Sequence, residues 1–332
     1  MRRFKGTIVR GAVLKNNMAE FDIVSIGECM VEFYSDKPFM DAEMFYKSYG
    51  GDTINLLVAA SRLGSRTGYI TKVGEDNFAP YFLQGWLNER IDLSLVKVIP
   101  GLKNGVYFAA AYDDEGYESA FYRKGSAATT LSVDDINTEY IAAARYFHAS
   151  GISQAISKSC RSAVYEACRL VAENKTGEVS YNPHYRPDMW SAKEAQSAFQ
   201  ELLPFIDILF LKHPFEPENL FGIADPEKVI RALWQQGVRI VALKVGKKGC
   251  IIGEKHSGLI GGVDALKVSK VVDRTGAGDT FAGAFLHGLA RKMDVFQAAW
   301  LGNIMAGLKT TGHGAIASMP HHDNVYQIFE AV

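Results

Sequence analysis

No CxxC pair occurs in this sequence, and its four cysteines, Cys29, Cys160, Cys168 and Cys250, are scattered. Such usage points to buried, reduced thiols in a cytoplasmic protein rather than to a disulfide framework. Neither sign of charge dominates: 36 basic residues against 37 acidic ones leave a net charge of −1. A nucleic-acid partner is therefore not expected, because phosphate binding needs a basic surface. The same balance speaks against a polybasic membrane anchor, and no apolar run approaches the roughly 20 residues of a membrane span. No GxxxxGK[ST] is present, which removes the P-loop enzymes. Internal repeats and low-complexity tracts are also missing. At the N-terminus "TIVRGAVL" is interrupted by Arg10 and is too short for a secretory core. Strand-like sequence starts at Phe21, just after a second methionine, Met18. Residues 1–17 are accordingly expected to be a disordered extension or an expression artefact, with one domain over 18–330.

What is present is a strand–helix alternation. "FDIVSIGECMVEF" opens with a continuous apolar strand ending at Gly27, as buried parallel strands do. "GGDTINLLVAASRLG" then predicts a helix capped by Asp52 or Thr53 and ending at Gly64. "TGYITKVG" is a further strand and 78–90 a further helix; the rhythm resumes from "RYFHASGIS" onward. Repeated βα units predict a mostly parallel, Rossmann-like α/β sheet with helices on both faces. Residues 31–49 and 104–125 break the rhythm and predict a small antiparallel sheet, with a hairpin turn at "DDEGYE". Ligands of open α/β sheets bind outside the carboxyl ends of strands. The stretches 27–32, 50–55, 182–186, 213–216, 246–249 and 273–279 therefore carry the chemistry.

"DRTGAGDTFAGAFLHGL" (273–289) follows a strand and opens a helix. Gly276 and Gly278 lack a Cβ, so backbone can approach a ligand, and the amides of Ala277, Gly278 and Asp279 would be unpaired donors at a helix N-terminus. Asp279 beside such an anion site can accept a proton from an attacking hydroxyl. Anion hole plus carboxylate is what phosphoryl transfer to an alcohol requires. A Rossmann GxGxxG fingerprint fits poorly, since Phe281 occupies its last position and the motif is C-terminal. A purely structural reading, with Gly278, Ala282, Gly283 and Gly288 allowing close helix packing, stands beside the chemical one.

This stretch resembles the C-terminal signature of the PfkB, or ribokinase-like, carbohydrate kinases, and "YGGDTINLLVAASRLG" (49–64) resembles their N-terminal motif. The resemblance runs from about residue 20 to 330. It implies a Rossmann-like core with a β-sheet lid, ATP as donor and Mg²⁺ as cofactor. By position it makes Asp279 the catalytic base and Gly276, Ala277 and Gly278 the anion hole. Gly50, Gly51 and Asn55 match the sugar-binding motif, while Glu32 stands where many relatives carry an aspartate. "KVGKKG" resembles the turn against the nucleotide phosphates, which brings in Lys244, Gly246 and Gly249, with Lys247 or Lys248 as further phosphate contacts. Asn303 matches a position bordering adenine. "HPFE" takes the place of an NxxE motif that orders Mg²⁺ and its waters: Glu216 matches, and His213 replaces the asparagine. Asp273, Thr275 and Ser318, with the backbone of 312–315, correspond to a monovalent-cation site suited to K⁺. A homodimer joined through the lid is the family's expectation.

The sugar is a separate question. "FYRKGSAATTLS", "YNPHYRPDMW" and "GGDTIN" resemble segments of 2-keto-3-deoxygluconate kinases. Arg123 and Arg186 could clamp a sugar-acid carboxylate, which guanidinium pairs bidentately. Tyr107 and Tyr122 on the lid offer hydroxyls and a flat wall. Strand alternation, however, puts Phe121 and Arg123 on one face and Tyr122 on the other. Fructokinase or another hexose or pentose kinase is the alternative within the family, and a non-catalytic nucleotide-binding regulator the alternative outside it.

Overall fold

A computed structural model describes residues 20–112 and 116–331. The expectation for residues 1–17 lies outside them. In chain order the strands are β1 (Phe21–Ile26), β2 (Met30–Ser35), β3 (Tyr46–Gly50), β4 (Thr67–Gly74), β5 (Ile91–Ile99), β6 (Gly105–Tyr112), β7 (Gly116–Tyr122), β8 (Ala144–Ser150), β9 (Glu178–Asn182), β10 (Ile208–Lys212), β11 (Ile240–Lys244), β12 (Cys250–Glu254) and β13 (Leu259–Val263).

Nine of them form one sheet in the order β13-β12-β11-β10-β9-β8-β1-β4-β5. It is parallel except for β12 and β13, which turn back as an antiparallel edge. The order reverses at β1, which pairs with β4 on one side and β8 on the other. A sheet that grows both ways from one strand opens a crevice at the carboxyl ends there. All of β1 is buried because helices cover both faces. Ile23 packs in one hydrophobic cluster with Leu56, Phe281 and Phe285, and Val24 in the other with Val164, Leu209 and Val229.

β3-β2-β6-β7 form the second sheet. Its two hairpin-like pairs are antiparallel, as the sequence predicts, but the central pair β2–β6 is parallel. Both excursions leave the large sheet from strand carboxyl ends, β2 after β1 and β6 after β5, so their first strands run the same way. All four cysteines are free and buried. Among the described residues no helix is long and apolar enough to cross a membrane.

Two helices carry the motifs, Asp52–Arg62 and Ala277–Ala290, and they pack directly on one another. Gly283 makes this possible: a Cβ there would strike the Leu56 carbonyl oxygen and lie 2.9 Å from Ala59 Cβ. Gly288 has the same role against the helix Val295–Lys309, where a Cβ would lie 2.9 Å from Ala298 Cβ. Both glycines thus serve packing. Gly283→Val should destabilise the fold by about 1–3 kcal/mol through overpacking. A denaturant midpoint unchanged from the parent would contradict this packing role.

Candidate functional site

Asp279 lies in the first turn of the helix Ala277–Ala290 and is buried. Its Oδ2 accepts a hydrogen bond from Asn55 Nδ2 at 3.0 Å, and its Oδ1 lies 2.9 Å from His184 Nε2. The preceding turn is built on Gly276, whose φ of 74° lies in the left-handed region that glycine tolerates. A Cβ there would also come within 3.0 Å of Asn55 Nδ2.

This tight turn corrects the expected donor set. Ala277 N–H donates to the Arg274 carbonyl and Asp279 N–H to that of Gly276. Among the described residues the amides of Gly276 and Gly278 remain without a protein acceptor. The Lys244 ammonium closes the same corner, 3.4 Å from where a Cβ on Gly278 would stand. With the Asn182 amide turned to satisfy its surroundings, its Oδ1 accepts from Lys244 Nζ at 2.9 Å and its Nδ2 donates to the Phe210 carbonyl at 3.2 Å. Burial lowers the Lys244 pKa, against the pull of Glu216 and Asp279.

On the sugar side, β2 and β6 bring Glu32 and Tyr107 face to face. Tyr107 Oη donates to Glu32 Oε1 at 2.7 Å, and Ala315 N–H donates to both carboxylate oxygens at 3.1 Å. Gly50 leaves room for this, since a Cβ would run into the Tyr107 hydroxyl. Gly51 N–H donates to Asn55 Oδ1 at 3.4 Å. Burial pushes Glu32 up to about 7 despite the Tyr107 and Ala315 bonds. Tyr107 stacks on Phe121, its cross-strand partner, at 5.4 Å between centroids. Arg123 and Arg186 both lie over the Phe121 ring, at 4.7 and 5.6 Å from its centroid. Tyr122 does not join them: alternation turns it to the outer face of the lid, 67% exposed against Phe108. Arg123 is ion-paired with Glu28, which burial pushes up to about 7 even so.

The remaining positions are placed as follows. Gly246 and Gly249 shape the turn after β11 with φ of 61° and 92°, while Lys247 and Lys248 point into solvent. Asn303 Nδ2 donates to the carbonyls of Val263 and Asp264 at 3.0 and 2.9 Å, which makes it a strut for that loop. Glu216 is buried and accepts from the amides of Tyr185 and Lys212. His213 does not complete its network, because its Nε2 lies 2.8 Å from the Ala224 carbonyl oxygen.

The oxygens expected to bind K⁺ already have partners. Asp273 accepts from Thr275 N–H and Oγ1 and from Gly314 N–H. Ser318 Oγ donates to the carbonyls of Lys309 and Gly314. The ammonium of Lys309, fully buried, donates to the Asp273 carbonyl at 2.9 Å. These residues do not fit a free monovalent cation, since a lysine supplies the positive charge.

Four contributors were missed by the sequence reading: Glu28, Asp52, His184 and Lys309. Asp52 is no helix cap; Gly51 holds that position without a side-chain bond. Asp52 instead accepts from Ser150 Oγ and faces His184 Nδ1 at 3.4 Å. One oxygen each of Glu28 and Asp52 is buried with no partner among the described residues. His184 lay inside a strand-end stretch singled out at 182–186, and its titratable ring beside Arg186 was a usable signal. Lys309 left none, as the last residue of an apolar helix.

Burial alone would lower the His184 pKa, but the Asp279 carboxylate and hydrogen bonds to Asp279 and Asp52 raise it to about 9. A histidine raised in the folded state stabilises fully below its unfolded pKa of about 6.5 and loses that contribution as pH climbs through the folded value. Thermal stability of the ligand-free protein should therefore fall from pH 7 to 9 more steeply than that of His184→Gln. Parallel slopes in a melting titration would argue that the Asp52–His184–Asp279 chain does not form.

This geometry can be set beside known proteins. Residues 20–322 match the model of the pfkB family carbohydrate kinases. Fructokinase-1 of Zea mays is 30% identical over 320 residues, covering 93% of this chain and 97% of its own. The 2-dehydro-3-deoxygluconokinase of Thermoproteus tenax is 31% identical over 273 residues, covering 81% and 82%. A ribokinase-like protein of E. coli, solved in complex with ATP and Mg²⁺, superimposes with a TM-score of 0.84 at 25% identity, over 94% of this chain and 100% of that one. The fold that builds this crevice thus has its counterparts, and the chain belongs to the PfkB family of carbohydrate kinases.

Proposed function

We propose that this carbohydrate kinase transfers the γ-phosphate of ATP to the terminal hydroxyl of a sugar acid, 2-keto-3-deoxygluconate, giving its 6-phosphate. The observation that carries the acid is Arg186, a half-buried guanidinium over the Phe121 ring with no carboxylate partner among the described residues. A substrate carboxylate supplies that partner bidentately. The unpaired oxygens of Glu28 and Asp52 offer acceptors for sugar hydroxyls.

The free amides of Gly276 and Gly278 and the ammonium of Lys244 fit a transferring phosphate. Asp279, held by Asn55 and His184, accepts the proton of the terminal hydroxyl as its oxygen forms the new bond to phosphorus. The bond from phosphorus to the bridging oxygen breaks and ADP departs. Among the described residues no cluster of acidic, histidine or cysteine side chains could hold a metal alone. Mg²⁺ would come as a companion of the triphosphate and neutralise its charge, and Glu216, whose two oxygens already accept backbone amides, would help hold it only indirectly. The lid excludes water and so limits idle ATP hydrolysis.

Fructokinase is the second reading. Arg123 already pairs with Glu28, which leaves a single guanidinium unclaimed, and the maize fructokinase is as similar as the 2-dehydro-3-deoxygluconokinase of Thermoproteus tenax. Phosphorylation assays over 2-keto-3-deoxygluconate, fructose, ribose and galactonate-derived acids should give the highest kcat/KM with the first; a clear preference for fructose would replace the proposal by the second reading. Arg186→Ala should raise KM for the acid by about 10- to 100-fold while sparing neutral sugars. Asp279→Asn should lower kcat by about 10²–10⁴-fold with sugar binding retained.

The outer lid face, with Tyr122 and Phe108 in edge contact, is the surface we assign to a second copy of the chain. Tyr122→Asp should shift a dimer to monomer in light scattering; a parent protein already monomeric would exclude this interface.

A further inference from the structure

We propose that Lys309 is a tethered cation that positions the anion-hole turn, and that turnover in this protein is consequently independent of free monovalent cations. The side chain closes the helix Val295–Lys309 and is fully buried. Its Nζ donates to the Asp273 carbonyl oxygen at 2.9 Å and lies 3.7 Å from Asp273 Oδ2. Asp273 is the first residue of the motif that forms the turn: its Oδ1 accepts from Thr275 N–H and Oγ1, immediately before Gly276, and its Oδ2 accepts from Gly314 N–H. Next to Gly314, Ala315 N–H donates to Glu32, which takes the Tyr107 hydroxyl from the lid.

The ammonium therefore meets the Asp273 carboxylate directly, and the adjacent amides of Gly314 and Ala315 tie that carboxylate to the buried Glu32. Buried charge of one sign needs a compensating partner. Besides Asp273, the other titratable groups near Glu32 are Tyr107, Tyr34, Tyr81 and Cys29, none of which supplies positive charge. Without Lys309 the two carboxylates would repel, the Gly314–Ala315 segment would lose its anchor, and the Asp273 carbonyl would be free to turn. The amides of Gly276 and Gly278 depend on that turn for their aim. Lys309 touches no reacting atom and acts through Asp273, so it is a positioning residue. Its ammonium is attached to the chain, so no concentration of external cation is needed to fill the place. Truncating the side chain leaves a pocket of oxygens with the net negative charge to accept K⁺ or an alkylammonium.

The inference rests on the kinase reading for one of its two readouts only. Turnover is measured with Mg²⁺, ATP and any accepted sugar in a tetramethylammonium buffer while K⁺, Na⁺, Li⁺ and methylammonium are titrated. The parent should change less than about twofold, whereas Lys309→Ala should lose about 100-fold, as a misaimed anion site does, and recover with K⁺ or methylammonium but not with Li⁺. Melting temperature is the second readout and needs no substrate: K⁺ should raise it for Lys309→Ala and leave the parent unmoved. A wrong choice of sugar affects the first readout alone. Strong activation of the parent by K⁺ overturns the proposal, even if no Lys309 variant folds. So does a folded Lys309→Ala that no cation stabilises or rescues, or one that is fully active without any. Lys309→Gln, which fills the space without the charge, should lose activity as Lys309→Ala does but resist rescue by K⁺; retention of parent activity by it also overturns the idea.

Discussion

The contact between the helices Asp52–Arg62 and Ala277–Ala290 is the constraint on which the site depends. The two helices start far apart in sequence, and Gly283 lets them approach until its Cα lies against the Leu56 carbonyl. Only at that separation does Asn55 reach Asp279 across the crevice at 3.0 Å. The same approach brings the first helix under the glycine turn that opens the second, so one packing distance governs sugar motif and phosphate motif together. Arg62 reinforces it from the far end, pairing with Glu89 and donating to carbonyls of Ile316 and Met319.

Around this contact the charges are arranged in compensating sets. Glu28 faces Arg123, Asp52 and Asp279 share His184, and Asp273 and Glu32 share Lys309. Burial outweighs these partners for Glu28 and Glu32, which are pushed up to about 7. Lys244 stands beside the phosphate corner with its ammonium directed at Gly278.

Much of this was legible in the chain. Apolar strands alternating with amphipathic helices predicted the large sheet, and the stretches 31–49 and 104–125 predicted the lid, because both signals are local periodicities. The parallel pairing of β2 with β6 was not legible, since it follows from the direction in which two separate excursions leave the core. The alternation that placed Phe121 with Arg123 and turned Tyr122 away held in the structure. His184 and Lys309 were hidden for another reason: their partners, Asp279 and Asp273, lie elsewhere in the chain, and a single sequence carries no record of such meetings.

By itself the sequence determined the fold class, the strand ends that face the crevice, and the glycine–aspartate turn that opens the second motif helix, all of them properties of contiguous residues. Tertiary structure decided which donors of that turn stay free, which guanidinium remains unclaimed, and that the Lys309 ammonium rests on the Asp273 carbonyl. Those outcomes depend on distances between segments, and electrostatics in a buried crevice is set by such distances rather than by residue type.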